Sequence, residues 1–227
     1  VVLTRESILA GLIEEKVREA ERQGLVDFVP VEQRERSRRA MLDALGGDEV
    51  WLFGYGSLIW NPCIHYAQRE MALLYGYHRD FCLSMLTGRG TPERPGLMLA
   101  LKPGGACRGV AFRIEHACAE QELEVVWNRE MVSGSYVPRV VVINTPVGRR
   151  RAVTFVVNRR YRHYRPDLGT EESAAVIAEA QGWLGRCSDY LESLVEHLER
   201  MGVEDKAMRR LWARVQAIES NRSEVGG

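Results

Sequence analysis

The stretch YVPRVVVINTPVGRRRAVTFVVN, Tyr136 to Asn158, decides how this sequence folds. Two valine-rich runs flank the turn residues between Asn144 and Gly148, which is the composition of strand, turn and strand. The pattern continues toward the N-terminus. VWLFG, EMALLYGYHRDFCLSML, LMLAL and CRGVAFRI are apolar segments, and Gly88 to Gly96 and Pro103-Gly104-Gly105 supply turn signals between them. A single helical pattern, about His116 to Asn128, interrupts the series. Strands that follow strands with so little helix between them imply an antiparallel sheet or small barrel, not a doubly wound parallel sheet.

Both ends read as helical. Residues 5–22 form an amphipathic pattern with Ile8, Leu9, Leu12, Ile13 and Val17 on one side, and Thr4 is placed to cap it. A second helix is predicted from Pro30 to Leu45, stopped by Gly46-Gly47. Its Arg34, Arg36, Arg38 and Arg39, balanced by Glu32, Glu35 and Asp43, read as a solvated face. From Thr170 the pattern is helical to the end, in segments opening at Thr170, covering Ser188 to Met201 and spanning about Glu204 to Ser220, with breaks at Gly185 and Gly202. The expected architecture is α+β, a small and mostly antiparallel β-barrel or sheet flanked by helices at both termini. Residues 1–47 are expected to be a helical extension and 48–227 the main domain, compact as a whole.

Composition narrows the function. Lys plus Arg and Asp plus Glu are 31 each among 227 residues, so the formal charge is zero, which speaks against a nucleic-acid binder. No apolar run approaches the roughly 20 residues that span a bilayer. The first residues lack a signal-type apolar core, so a cytoplasmic protein away from membranes is expected. Five scattered cysteines without a CxxC predict reduced thiols, and five dispersed histidines without HExxH predict no metal site.

Three stretches carry chemistry. In EVWLFGYGSLIW, Glu49 to Trp60, glycines and a serine interrupt an apolar run. Ile59 stands where a dinucleotide fingerprint needs glycine, and Gly-Lys-Ser/Thr of a P-loop is absent. Tyr55 and Ile59 flank Ser57 where a nucleophile elbow needs glycines. What remains is a glycine-bracketed turn, which serves either packing or the close approach of an anion to bare backbone. In ELEVVWNREMVSGSY, Leu123, Val126, Trp127 and Glu130 share one helical stripe, with Glu122 and Glu124 about 100° to either side. Glu130 is thus the acid expected on the apolar face, where desolvation raises a carboxylate's pKa toward the range useful for proton transfer. A structural ion pair with Arg129 or another arginine is the alternative. The third stretch, NRRYRHYRPDLG from Asn158 to Gly169, interleaves arginines and aromatics, as a solvated loop, a single-strand platform or a substrate loop would.

FGYGSLIWNP (Phe53–Pro62), GRGTPERPGL (Gly88–Leu97), RGVAFRI (Arg108–Ile114), VWNREMVSGSYVPR (Val126–Arg139) and VVNRRYRHYRPDLG (Val156–Gly169) together resemble the ChaC-type γ-glutamylcyclotransferases, in their bacterial form. The resemblance covers about residues 50–220. It implies a γ-glutamylcyclotransferase-like fold and a lyase that cleaves glutathione to 5-oxoproline and cysteinylglycine, without cofactor, metal or external water. Glu130 aligns with the family's catalytic glutamate. The resemblance assigns substrate binding to the turn Tyr55, Gly56, Ser57 and Leu58 and to Tyr136 and Tyr164. Arg89 and Arg94 are candidates for the glycyl carboxylate of glutathione. Two other readings remain open: a cyclotransferase for other γ-glutamyl amino acids or amines, and a non-enzymatic regulator of cation transport that retains the fold.

Overall fold

The computed structural model describes residues 2–46 and 49–225. They separate into two compact units, one made of Leu3–Asp80 with Ala100–Arg162, the other of Phe81–Leu99 with the chain from His163 onward.

The first unit opens with α1 (Arg5–Leu9), closed by a capping box in which Ser7 N–H donates to Thr4 Oγ1 and Thr4 N–H to Ser7 Oγ. The single helix expected over 5–22 is interrupted. Gly11 adopts φ 82°, a left-handed conformation that ends one helix and caps α2 (Leu12–Arg22). The break shifts the helical phase, and Leu9 is exposed instead of joining the apolar side. The helix after Pro30 appears as expected, as α3 (Val31–Leu45), with Gly46 at φ 54° as its stop. Gly47 and Asp48, on which the rest of that stop and the domain boundary fall, lie outside the described residues.

The basic face of α3 is only partly solvated. Arg34 and Arg38 are 2% and 6% exposed, because elements carrying acids close over them. Arg34 pairs with Glu14 and donates to Asn128 Oδ1 at 2.9 Å. Arg38 lies 3.5 Å from both Glu120 and Glu124.

Five strands, β1 (Glu49–Gly54), β2 (Gln68–Met85), β3 (Gly96–Glu115), β4 (Tyr136–Thr145) and β5 (Gly148–Val157), close a barrel in the order β1-β3-β2-β4-β5. The stretch around Asn144 forms the anticipated hairpin, paired without interruption from Tyr136↔Val157 to Thr145↔Gly148. Parallel contacts at Leu52↔Val153 and Leu101↔Val156 complete the closure, so the barrel is mostly but not wholly antiparallel. Pro103-Gly104-Gly105 does not separate two strands. β3 runs through it, with Gly104 at φ 106° and Gly105 at φ 70°, since glycine accepts the positive φ that lets a strand bend and resume.

β1 is buried on both faces from Val50 to Gly54, which explains its unbroken apolar composition. The helix α4 (Ala119–Glu130) packs on the barrel through Trp127, whose ring meets Phe155 edge-on at 5.1 Å. That contact fixes where the C-terminal end of α4, and hence Glu130, projects.

In the second unit, α5 (Thr170–Glu179), α6 (Cys187–Arg200) and α7 (Lys206–Val225) match the three helical segments, with Gly185 and Gly202 at positive φ between them. A two-residue hairpin, β6 (Gln181–Gly182) with β7 (Gly185–Arg186), was too short for periodicity to signal. Among the described residues no helix is long and apolar enough to cross a membrane. All five cysteines are free thiols.

The β1–β3 ladder contains a close backbone approach. A Cβ on Gly109 would stand 2.4 Å from the Gly54 carbonyl oxygen and 2.7 Å from the Phe53 ring. Gly109→Ala is therefore expected to destabilise the fold by about 2–3 kcal/mol through overpacking, read as a lower urea midpoint at unchanged slope.

Candidate active site

At Gly54 the chain leaves β1, bends through Tyr55 and Gly56, and enters a short 3-10 helix, Ser57–Ile59. The N–H groups that open a helical turn have no partner within it. Tyr55 and Leu58 are buried and Ser57 is half-buried. Gly54 itself serves packing, because a Cβ there would lie 2.9 Å from Leu58 Cβ and 3.3 Å from Phe112. A buried cation pins the start of the turn. Arg79, on β2 and 5% exposed, donates from Nε to the Tyr55 carbonyl at 2.6 Å and from Nη2 to the Arg108 carbonyl.

Glu130 ends α4 with a side chain 15% exposed, so its carboxylate sits at the edge of the interior. Burial pushes its pKa up, and the neighbouring Arg129 opposes the rise without cancelling it. The ion pair with Arg129 is present, with Nε 3.1 Å from Glu130 Oε1. It is one part of a wider set of bonds. The same guanidinium, 7% exposed, donates from Nη2 to Ser57 Oγ at 2.6 Å and from Nη1 to the Asn61 carbonyl at 2.5 Å. Arg129 thus joins the carboxylate to the turn. Because Ser57 Oγ accepts from Arg129, its own O–H is left to donate elsewhere.

Glu130 is not the only buried acid of α4. Glu122, placed off the apolar stripe by periodicity, is 2% exposed. The buried face of α4 is wider than one stripe, and Arg5 from outside the helix neutralises the charge. Both Arg5 terminal nitrogens meet the Glu122 oxygens, Nη2 to Oε1 at 2.8 Å, and Glu122 Oε2 also accepts the His65 N–H at 2.9 Å. Glu122 is saturated by donors, whereas desolvation dominates at Glu130.

Tyr136, 6% exposed, opens β4. The chain between it and Glu130 is held by Asn158, which donates from Nδ2 to the Gly134 carbonyl at 2.8 Å and from its backbone N–H to the Ser135 carbonyl at 2.9 Å. Tyr55, Gly56, Ser57, Leu58, Glu130 and Tyr136 all belong to the first unit. Arg89 and Tyr164 belong to the second. There Arg89 donates to the Arg186 carbonyl at 2.8 Å and lies over the Tyr190 ring, and Tyr164 bridges Leu83. Arg94 is exposed. In the basic-aromatic loop, Arg162 is engaged by the Gly24 carbonyl and Arg165 by Glu172, and burial lifts the half-exposed Tyr161 phenol to about 12.

Residues 50–218 match the family of ChaC-like proteins. The chain belongs to that family. It is 41% identical over 190 residues to the glutathione-specific γ-glutamylcyclotransferase of Escherichia coli K12, covering 82% of each chain. To glutathione-specific γ-glutamylcyclotransferase 1 of Danio rerio it is 32% identical, over 67% of this chain and 81% of the relative. The fold of this ChaC-like protein matches the crystal structure of a yeast γ-glutamylcyclotransferase specific to glutathione, with a TM-score of 0.67, 23% identity, and coverage of 75% and 99% of the two chains.

Sequence reading treated Arg129 only as a rival explanation for Glu130, and it missed Arg79 altogether. The available signal for Arg79 was a lone cation inside the apolar-aromatic run EMALLYGYHRDFCLSML. Removing it strands the buried Tyr55 carbonyl and takes a donor from the part-buried Arg108 carbonyl, each held by a charge-assisted bond of about 1.5–3 kcal/mol. Arg79→Met should lower unfolding stability by about 3 kcal/mol. A denaturant midpoint equal to wild type would show that the turn does not depend on it.

Proposed function

We propose that this ChaC-like protein cleaves glutathione by cyclising its γ-glutamyl group, releasing 5-oxoproline and cysteinylglycine. The observation that best supports the reading is the Arg129 guanidinium, which ties a carboxylate of raised pKa to a turn with an available hydroxyl donor.

The reaction needs little from the protein beyond proton transfer and posture, because nucleophile and electrophile belong to one substrate. The α-ammonium loses a proton, the free amine attacks the γ-carbonyl carbon, and a tetrahedral oxyanion forms. Its collapse breaks the amide bond as the cysteinyl nitrogen gains a proton. Glu130 takes the first proton and delivers it to the departing cysteinyl nitrogen. The ring nitrogen then sheds its second proton through the same carboxylate to that amine, which leaves as an ammonium, so no water is consumed and the carboxylate is regenerated. A carboxyl whose pKa is lifted by burial suits both halves of that shuttle better than an exposed one. Neither Ser57 nor a cysteine acts as nucleophile.

Posture falls to the turn. Gly56, Ser57 and Leu58 supply backbone N–H groups, and the Ser57 hydroxyl donates to the substrate's α-carboxylate or to the developing oxyanion. Tyr55 and Tyr136 line the γ-glutamyl pocket. Holding the γ-glutamyl chain bent, with the amine against its own carbonyl, supplies the proximity that a free chain lacks. The reaction uses no metal or cofactor. We place the protein in the cytoplasm without nucleic-acid partners, in keeping with its free thiols and zero formal charge. Residues 1–47 are read as a helical extension of the catalytic domain 48–227.

The test incubates purified protein with glutathione and with γ-Glu-Ala, and assays 5-oxoproline and the released amine. Product from glutathione alone is expected; product from neither overturns the reading. Glu130→Gln should fold and form no 5-oxoproline. It should also change the pH dependence of stability. A folded-state pKa raised by burial means that ionisation at this position works against the fold as pH rises through that pKa. The Gln variant should therefore melt above wild type at pH 8, with the gap closing toward pH 4.5. Arg129→Ala removes the cation that restrains the Glu130 pKa, so the acid limb of kcat should move to higher pH. An unmoved limb would separate Arg129 from the titration.

A further inference from the structure

The N-terminal segment lies outside the matched family region, which begins at residue 50, yet it reaches the candidate site through a continuous set of bonds. The loop after the Ser57 turn, residues 61–65, is gripped from two directions. From α4, Arg129 donates to the Asn61 carbonyl and Glu122 accepts the His65 N–H. From the N-terminus, the Leu3 carbonyl accepts Asn61 Nδ2 at 2.8 Å, and Arg5 Nη1 donates to the Cys63 carbonyl at 3.3 Å. Arg5 also forms the bidentate pair with Glu122, its own side chain being 16% exposed and that of Glu122 3%.

The local backbone explains why such a grip matters. Cys63 has φ 57°, the one non-glycine residue at positive φ among those described. A left-handed cysteine is held by its surroundings, not by its own preference. Its thiol lies 3.0 Å from Asn61 Oδ1 and 3.5 Å from the Leu3 carbonyl, and burial raises its pKa, so it acts here as a packed donor and not as a reactive thiolate. The Asn61 N–H in turn donates to the Ser57 carbonyl at 2.9 Å. Asn61 is therefore shared by the N-terminal segment, by Arg129 and by the Ser57 turn.

We infer that Leu3–Arg5 is a built-in strap and that Arg5 is a positioning residue for the cyclisation, acting through residues 61–65 to hold Ser57 and Arg129 in working register with Glu130. This rests on the function proposed above. The strap touches no substrate atom. Without it the 61–65 loop loses its Leu3 and Arg5 anchors, and Arg129 loses a fixed carbonyl on which to seat. The guanidinium then restrains Glu130 less firmly and orients the Ser57 hydroxyl less well. Misplacement by an ångström at such a centre can lower turnover by about a hundredfold.

Arg5→Ala leaves Glu122 buried and unpaired, so it is examined beside the double variant Arg5→Met, Glu122→Gln, which removes both charges and keeps the packing volume. Arg36→Ala, at an exposed position of α3, serves as the control. For the double variant kcat with glutathione should fall at least tenfold. The acid limb of its pH profile should rise in the direction of Arg129→Ala, and the amides of residues 61–65 should exchange faster. Arg5→Lys, which retains the charge but not the paired bonds, should recover part of the loss. A lowered melting temperature with wild-type kcat and pH limb would reduce the strap to a structural tether and overturn the proposal, as would unchanged exchange at 61–65. If the wild-type protein makes no 5-oxoproline, the function proposed above fails, while exchange still reports whether the strap holds the loop.

Discussion

The candidate site depends on where one buried guanidinium is satisfied. Arg129 cannot shed its charge, so its donors must find acceptors inside the protein. It finds a carboxylate, a hydroxyl and a carbonyl on three separate stretches of chain: Glu130 beside it, Ser57 in the turn after β1, and Asn61 beyond that turn. Each acceptor is thereby fixed relative to the others. The charge also settles a balance at Glu130. Desolvation pushes the carboxyl's pKa up, and the adjacent cation opposes that rise. The proton shuttle proposed for Glu130 draws on this pair of opposed influences.

Much of this was legible in the sequence, and what was not shares a cause. The β4–β5 hairpin, the helical ends and the stop at Gly46 follow from local pattern and turn chemistry, which one stretch of chain carries by itself. Glu130 could be singled out because helical spacing put it on the stripe of Leu123, Val126 and Trp127. Periodicity failed where burial is imposed from elsewhere. Helical spacing puts Glu122 on a flank of α4, but Arg5, 117 residues earlier, covers it. Arg34 and Arg38 read as solvated because their acidic neighbours come from other helices. Pro103-Gly104-Gly105 has the composition of a turn, yet β3 runs through it without a break. Family resemblance named the turn and the glutamate but gave no account of how they are connected.

Helix α4 organises that connection. Trp127 seats it on the barrel against Phe155, its last residues carry Arg129 and Glu130, and one turn from its start Glu122 receives the N-terminal segment. A helix is a stiff rod on this scale, so the two ends of α4 cannot adjust separately. Whatever shifts Glu122 also shifts the seat of Arg129. This gives the residues before the family region a route into the site that does not require them to approach substrate.

The close approach of Gly109 to the Gly54 carbonyl bears on how related sequences should be interpreted. Those glycines satisfy steric limits of barrel closure that hold whether or not any reaction takes place. A chain that kept them and replaced Glu130 would still close the same barrel, and by most of its motif it would pass for an enzyme. The glycines therefore report architecture, while the chemistry proposed above rests on Arg129 and Glu130. A catalogue of such proteins built on the turn alone would count silent members among the active ones.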